Sequence, residues 1–199
     1  LYAKNEIGYR NLMYLSSRAY IDGFYYYPRI NKKLLKEYSE GLVCSSACLQ
    51  GEVNWHLNLS ERNIGFGAKG YEEAKRIALE YKEIFGEDFY LEIMRHGIKD
   101  QYRIDKETIR LSKETGIKII GTNDTHYKEQ SDARPHDAFM CIAMNKLYDD
   151  PNRLGHSVQE FYIKSPQEMY ALFADIPDAV ANTQEIAQKC NLEIKLGDA

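Results

Sequence analysis

The chain has 199 residues, of which 44% are apolar and 28% charged, and it carries a formal net charge of −4 at pH 7. That composition is globular, with enough apolar material for one ordinary domain. An acidic balance with mixed charges argues against a surface built mainly to grip a phosphate backbone. In chain order, an amphipathic helix is expected over roughly residues 5 to 21, with Tyr9, Leu12, Met13, Ser16 and Tyr20 on its inner face. "GFYYYPRI" reads as irregular, and "NKKLLKEYSEG" as a short helix stopped by Gly41. "LVCSS" is a strand, "GEVNWHLNL" a short helix, and "SERNIGFGAKG" a glycine-punctuated loop. Ala74, Ile77, Ala78, Tyr81, Ile84 and Phe85 form the cleanest helical stripe, ended by Gly86.

"FYLEIM" is the next strand, "DQYRIDKETIRLSKETG" a helix with a glycine stop, and "IKIIG" a further strand. "SDARPHDAFMCIAMNK" is helical, "EFYIK" a strand, and "SPQEMYALF" a helix opened by a capping box of Ser165 and Glu168 around Pro166. "PDAVANTQEIAQKC" is the last helix, with Val180, Thr183, Ala187 and Cys190 on one stripe. Short apolar strands alternating with helices predict an α/β fold with a parallel sheet. Four such strands make either a small open sheet or part of a barrel.

No apolar run reaches the length of a membrane span, and the N-terminus lacks a signal-peptide layout. Cys44, Cys48, Cys141 and Cys190 form no C-x-x-C pair, a pattern that suits a reducing, cytoplasmic setting. The chain opens on "LYAKNE" without an initiator methionine, so it is expected to be a segment of something longer.

"GTNDTHY", residues 121–127, is the first candidate site. Side chains two apart in an extended segment face one way, so Asp124 and His126 point together past the end of "IKII". In parallel α/β folds that end binds ligands, and a carboxylate with an imidazole suits zinc, manganese or iron. A good turn with an accidental histidine is the bland alternative. Cys48, at the start of the loop after "LVCSS", is either a thiolate aimed at the same mouth or a small buried thiol. Glu92, Arg95 and His96 end another strand, as ligand supporters or phosphate-site neighbours, or as ordinary turn and surface residues. His136 reads as a partly buried helix residue, His56 beside Trp55 as a short-helix residue with no acidic neighbour to make it a base, and His156, in a polar loop, carries no signal. "GFGAKG" lacks the ending of a phosphate loop, and no nucleophile elbow is present.

"SSACLQGE", "FYLEIMRHG", "GTNDTHY", "DDPNRL", "FYIKSPQEM" and "ANTQEIAQKCNLE" occur in this order. Together they resemble the PHP (polymerase and histidinol phosphatase) domain of the bacterial replicative DNA polymerase III alpha subunit, over nearly the whole chain. The resemblance implies the C-terminal portion of a (β/α)7 barrel, with residues 1–190 a partial PHP domain and 191–199 the start of a connection toward a polymerase core. It implies Cys48, Asp124 and His126 as ligands of a divalent metal, zinc or manganese. The family's early His-x-His motif has no counterpart here, so the centre is expected to be incomplete or absent in this chain alone. The implied function is DNA replication within a DNA-directed DNA polymerase, a nucleotidyltransferase. The domain itself is then a metal-dependent 3′→5′ exonuclease or a brace that binds other replicase subunits, including a proofreading one. Exposed barrel strands would favour a dimer through a sheet edge. A free-standing PHP phosphatase and an unrelated α/β binding domain are the rivals.

Overall fold

The computed structural model describes residues 1–153, 155, 158–194 and 197. His156 and Leu154 of "DDPNRL" lie outside the described residues. The elements run β1 (Tyr2–Ala3), α1 (Glu6–Ile21), α2 (Lys32–Glu37), β2 (Leu42–Ser45), α3 (Glu52–Leu57), α4 (Glu61–Gly65), α5 (Tyr71–Phe85) and β3 (Phe89–Met94). They continue with α6 (Lys99–Thr115), β4 (Ile119–Thr122), α7 (Ala133–Met144), α8 (Pro166–Leu172) and α9 (Asp178–Lys189). One four-stranded sheet results, in the order β1-β2-β3-β4. Its β2, β3 and β4 are parallel, and β1 lies antiparallel to β2. The α/β class with a mostly parallel sheet is therefore present.

Alternation along the strands divides the interior. Phe89, Leu91 and Ile93 face the main core with Leu42, Cys44 and Ile119, against Leu15, Val53, Ile77, Ala78, Ile104 and Leu111 from the helices. Tyr90 and its neighbours Val43 and Ile120 face the other way, toward Ile186 and Cys190 at α9. Period-two geometry produces this split. It also places Ser45, Glu92 and Thr122 on the second face.

Helix ends follow from local chemistry. Asn5, Asn31 and Ser60 cap α1, α2 and α4 through side-chain oxygens that accept from the backbone three residues on. Gly116 ends α6 in the left-handed conformation. At α8, Ser165 and Glu168 form the expected reciprocal capping box, with Pro166 opening the helix. Ser165→Ala should cost about 1 kcal/mol, read as a lower urea midpoint at unchanged slope.

Four expectations need correction. "SERNIGFGAKG" holds the helix α4, because Ser60 supplies a cap that outweighs its glycines. "EFYIK" forms no strand, only a single parallel bridge from Tyr127 to Tyr162. On α1 the buried residues are Gly8 and Leu15, while Met13 and Tyr20 are exposed. The helix is turned by the approach of Gly8 to Gly41, where no side chain fits. On α9 the buried residues are Ala179 and Ile186, while Ala187 is exposed, because Asn182 turns inward to donate to the Ile119 carbonyl of β4 at 2.8 Å.

Candidate metal centre at the strand ends

Glu92 is the buried anchor beneath the rim. It is 6% exposed, and its two carboxylate oxygens accept from Ser45 Oγ and Thr122 Oγ1, each at 2.6 Å. Its backbone N–H donates to Ser46 Oγ at 2.8 Å. One carboxylate thus ties the C-terminal ends of three parallel strands together, with both oxygens satisfied. Burial, and secondarily the Glu92 carboxylate, push the Tyr2 phenol above its usual range.

Above this anchor β4 delivers the candidate pair. Gly121 is required at the strand's end: a Cβ there would lie 3.0 Å from the ring of the fully buried Phe173. Two residues further the chain leaves the sheet, and Asp124 Oδ1 lies 3.2 Å from His126 Nε2. Ligand atoms held by one ion at about 2.1 Å and tetrahedral angles stand roughly 3.4 Å apart. The 3.2 Å contact is a hydrogen-bond distance, and by donor type the two side chains suit a divalent ion. They are 46% and 38% exposed, open to further donors or substrate.

The "EFYIK" segment secures the pair, although it is not a strand. The Phe161 carbonyl accepts from the N–H groups of His126 and Tyr127 at 2.8 and 3.2 Å. The Phe161 ring stacks on His96 with centroids 4.7 Å apart and meets His126 edge-on at 5.3 Å. His136, from α7, brings its ring to 5.8 Å from that of His126.

His96 is buried, at 1% exposure, and touches the pair from below. Its Nδ1 is 3.0 Å from Gln101 Nε2, and its Nε2 is 3.2 Å from Asn123 Oδ1 and 3.1 Å from the Asp124 backbone nitrogen. Burial, with the positive charge of Lys164 second, holds its pKa below the ordinary histidine value.

Arg95 faces elsewhere. Its guanidinium pairs with Asp105 at 2.8 Å and with Asp175, and donates to the Leu172 carbonyl at 2.8 Å. It lies 4.8 Å over the Phe173 ring. Those partners make it a strut between α6 and the end of α8.

Cys48 is exposed, on the loop after β2. Asn54 Nδ2 donates to the Ala47 and Cys48 carbonyls at 2.9 and 3.2 Å, and the Gly51 N–H donates to Cys48 O at 2.9 Å. Ala47 has a positive φ of 59°, the left-handed conformation that favours glycine. Cys48 and Gln101 line one small cavity with Glu92 and Asn54. The neighbouring Cys44 is a different thiol: burial pushes it up to about 11, so it stays protonated and inert. Among the described residues no three His, Cys, Asp or Glu side chains are grouped closely enough to hold a metal ion. The carboxylate and the imidazole meet; Cys48 does not complete a three-donor group with them. His56 stands apart, accepting from the Lys69 N–H at 3.1 Å.

Sequence reasoning missed Gln101, Asn123 and Phe161. Asn123 sits inside the turn chemistry of "GTNDTHY", and nothing in a helix pattern marks Gln101 as a partner of His96.

Residues 1–96 match the PHP domain family. Over its full length the chain is 71% identical to DNA polymerase III subunit alpha of Campylobacter jejuni and 66% identical to that of Helicobacter pylori. It is 35% identical, again across the whole chain, to DNA polymerase III subunit alpha of Thermus aquaticus. The chain spans only 16–17% of the length of these relatives.

Proposed function

We propose that the chain belongs to the PHP domain family, in the form carried by DNA polymerase III alpha subunits, and serves bacterial DNA replication as the later part of such a domain. The observation that carries this reading is 71% identity over all 199 residues of this chain, joined to the contact of Asp124 with His126. In this reading residues 1–190 are the later turns of a (β/α)7 barrel, and 191–199 begin a connection to the polymerase core. Among the described residues no helix is long and apolar enough to cross a membrane; the DNA polymerase relatives support a cytoplasmic setting for this reading.

Asp124 and His126 would hold a divalent ion, zinc or manganese by donor type. Donors from outside this chain would complete the centre, with Cys48 a further ligand by family resemblance although it is not grouped with the pair among the described residues. A bound ion supplies an acidified water and a stabilised leaving oxygen, the needs of a metal-dependent phosphoesterase such as a 3′→5′ exonuclease. The chain's own residues supply the frame: Glu92 fixes the strand ends, and the Phe161 carbonyl holds the loop that bears His126.

The test uses the full-length parent subunit, with DNA bearing a mismatched 3′ end. Wild type should remove the terminal nucleotide in manganese or zinc, and an Asp124→Ala, His126→Ala double variant should lose at least about 100-fold. Equal degradation by both proteins removes catalysis from this rim.

A second reading, a brace that binds other replicase subunits such as a proofreading one, is supported by a separate surface. Tyr20, Phe24, Tyr25, Tyr26 and Tyr27 are 57–75% exposed, between the end of α1 and α2. Tyrosine-rich exposed surface of this kind is characteristic of interface cores. Contact with DNA then comes through the parent. Among the described residues, self-association through a sheet edge would use the outer margin of β1 or of β4, the two ends of the sheet; at β4 Asn182 already donates to the Ile119 carbonyl. Sedimentation of the chain as a monomer at all concentrations would discard it. A free-standing small phosphatase is the weaker rival, since the relatives matched are several times longer than this chain.

A further inference from the structure

His96 lies at the centre of a hydrogen-bond relay that runs from α6 to the rim. Its backbone N–H donates to Gln101 Oε1 at 2.8 Å, which fixes that amide and turns Gln101 Nε2 toward His96 Nδ1 at 3.0 Å. Reversing the amide would set a donor against the His96 N–H. At the far end, Asn123 Nδ2 donates to the Tyr162 carbonyl at 2.7 Å and to Thr125 Oγ1 at 3.0 Å, which leaves Asn123 Oδ1 facing His96 Nε2 at 3.2 Å.

The ring proton has two possible places. On Nδ1 it would oppose the Gln101 amide hydrogens and leave two lone pairs facing each other at Nε2. On Nε2 it satisfies Gln101 and Asn123 together but forfeits the hydrogen bond that the Asp124 N–H can donate to a bare Nε2 at 3.1 Å, the one bond the Nδ1–H form would keep. Two hydrogen bonds outweigh one.

We propose that His96 is a positioning residue for the Asp124–His126 pair: as the neutral Nε2–H tautomer, clamped between Gln101 and Asn123, it fixes the turn from which both side chains project. The ring also meets Phe161, whose carbonyl holds the His126 N–H, so one side chain braces both ends of the motif. The proposal rests on the reading above only for what the pair then holds.

Imidazole nitrogen NMR of the ¹⁵N-labelled chain tests the tautomer directly. A protonated Nε2 with a bare Nδ1 is expected for His96; a proton on Nδ1, or on both nitrogens at neutral pH, overturns the proposal. The second arm compares His96→Gln, whose amide can still donate to Asn123, with His96→Leu, which cannot. His96→Gln should keep the wild-type amide signals of Asn123, Asp124 and His126, and His96→Leu should shift or broaden them. Unchanged signals in His96→Leu sink the idea, as would His96→Gln behaving like His96→Leu.

Cobalt titration of the full-length parent separates this from the functional reading. With wild type binding, His96→Leu should weaken it by about 10- to 100-fold and His96→Gln by much less. If wild type binds no cobalt while the NMR results stand, the metal reading fails and the positioning role survives.

Discussion

Gly8→Ala should lower the stability of the chain by about 3 kcal/mol, although alanine is the better helix former. Propensity alone predicts a gain of about 1 kcal/mol in a helix interior. The structure reverses the sign. A Cβ on Gly8 would lie 1.9 Å from the Gly41 carbonyl oxygen and 2.5 Å from its carbon, backbone atoms that no rotamer change can move. That carbonyl is committed, accepting the Lys4 N–H at 2.8 Å. Gly41 has a φ of 73°, and a Cβ on it would in turn meet the Gly8 nitrogen at 2.5 Å. Relief would require α1 to lift from the turn before β2, opening the core around Leu15 and Leu42. For a domain of this size the loss corresponds to roughly 6–12 °C in Tm, measured by circular dichroism. An unchanged or higher Tm would show that the two glycines are not in contact.

Arg95→Leu should cost about 3 kcal/mol at neutral pH, and the cost should shrink on acidification. The Arg95 and Asp105 side chains are only 12% and 14% exposed, so removing the cation strands a carboxylate in the interior. Asp105 Oδ1 already lacks a hydrogen-bond partner. The pair with Asp175 contributes much less, because that carboxylate is 57% exposed and screened by water. Burial pushes the Asp105 carboxyl above its usual range, against the pull of Arg95. A group whose folded pKa is raised binds its proton more tightly when folded. Its stabilising contribution is complete below the unfolded pKa and is lost as pH rises through the folded one. Without Arg95 that folded pKa climbs further, so the deficit is widest near neutrality and narrows toward the ordinary carboxylate range. Urea unfolding at neutral pH and near pH about 5 measures the difference. A deficit independent of pH would assign the loss to packing against Phe173 instead.

Much of the fold was legible because its signals are local. Ser165 and Glu168 declared a helix start, Gly116 a helix end, and the Ala74–Phe85 stripe a buried face. The facing of α1 was not legible, because its inner surface is decided by a glycine meeting another glycine 33 positions away. A hydrophobic stripe cannot announce a contact made by the absence of side chains. "EFYIK" read as a strand on composition, yet its residues serve as a clasp for the loop after β4. At the site, Asp124 and His126 were recoverable because a period of two acts over adjacent residues. The direction of Glu92 follows from the same period. Arg95 and His96 were not resolved, since their partners Asp105, Asp175, Gln101 and Asn123 come from other elements. Cys48 is exposed as a rim thiol requires, while its relation to the pair depends on loop geometry set by Ala47 and Asn54.

The central proposal is that Asp124 and His126 contribute to one divalent metal centre in the intact domain and that Cys48, which is not grouped with them here, joins them there. Cobalt in the full-length parent subunit reports thiolate ligation and coordination geometry in one spectrum. Wild type should show an intense thiolate-to-cobalt charge-transfer band together with weaker ligand-field bands. Cys48→Ser should abolish the first while retaining bound metal, and the Asp124→Ala, His126→Ala variant should lose both. A cobalt spectrum identical in all three proteins would contradict the account.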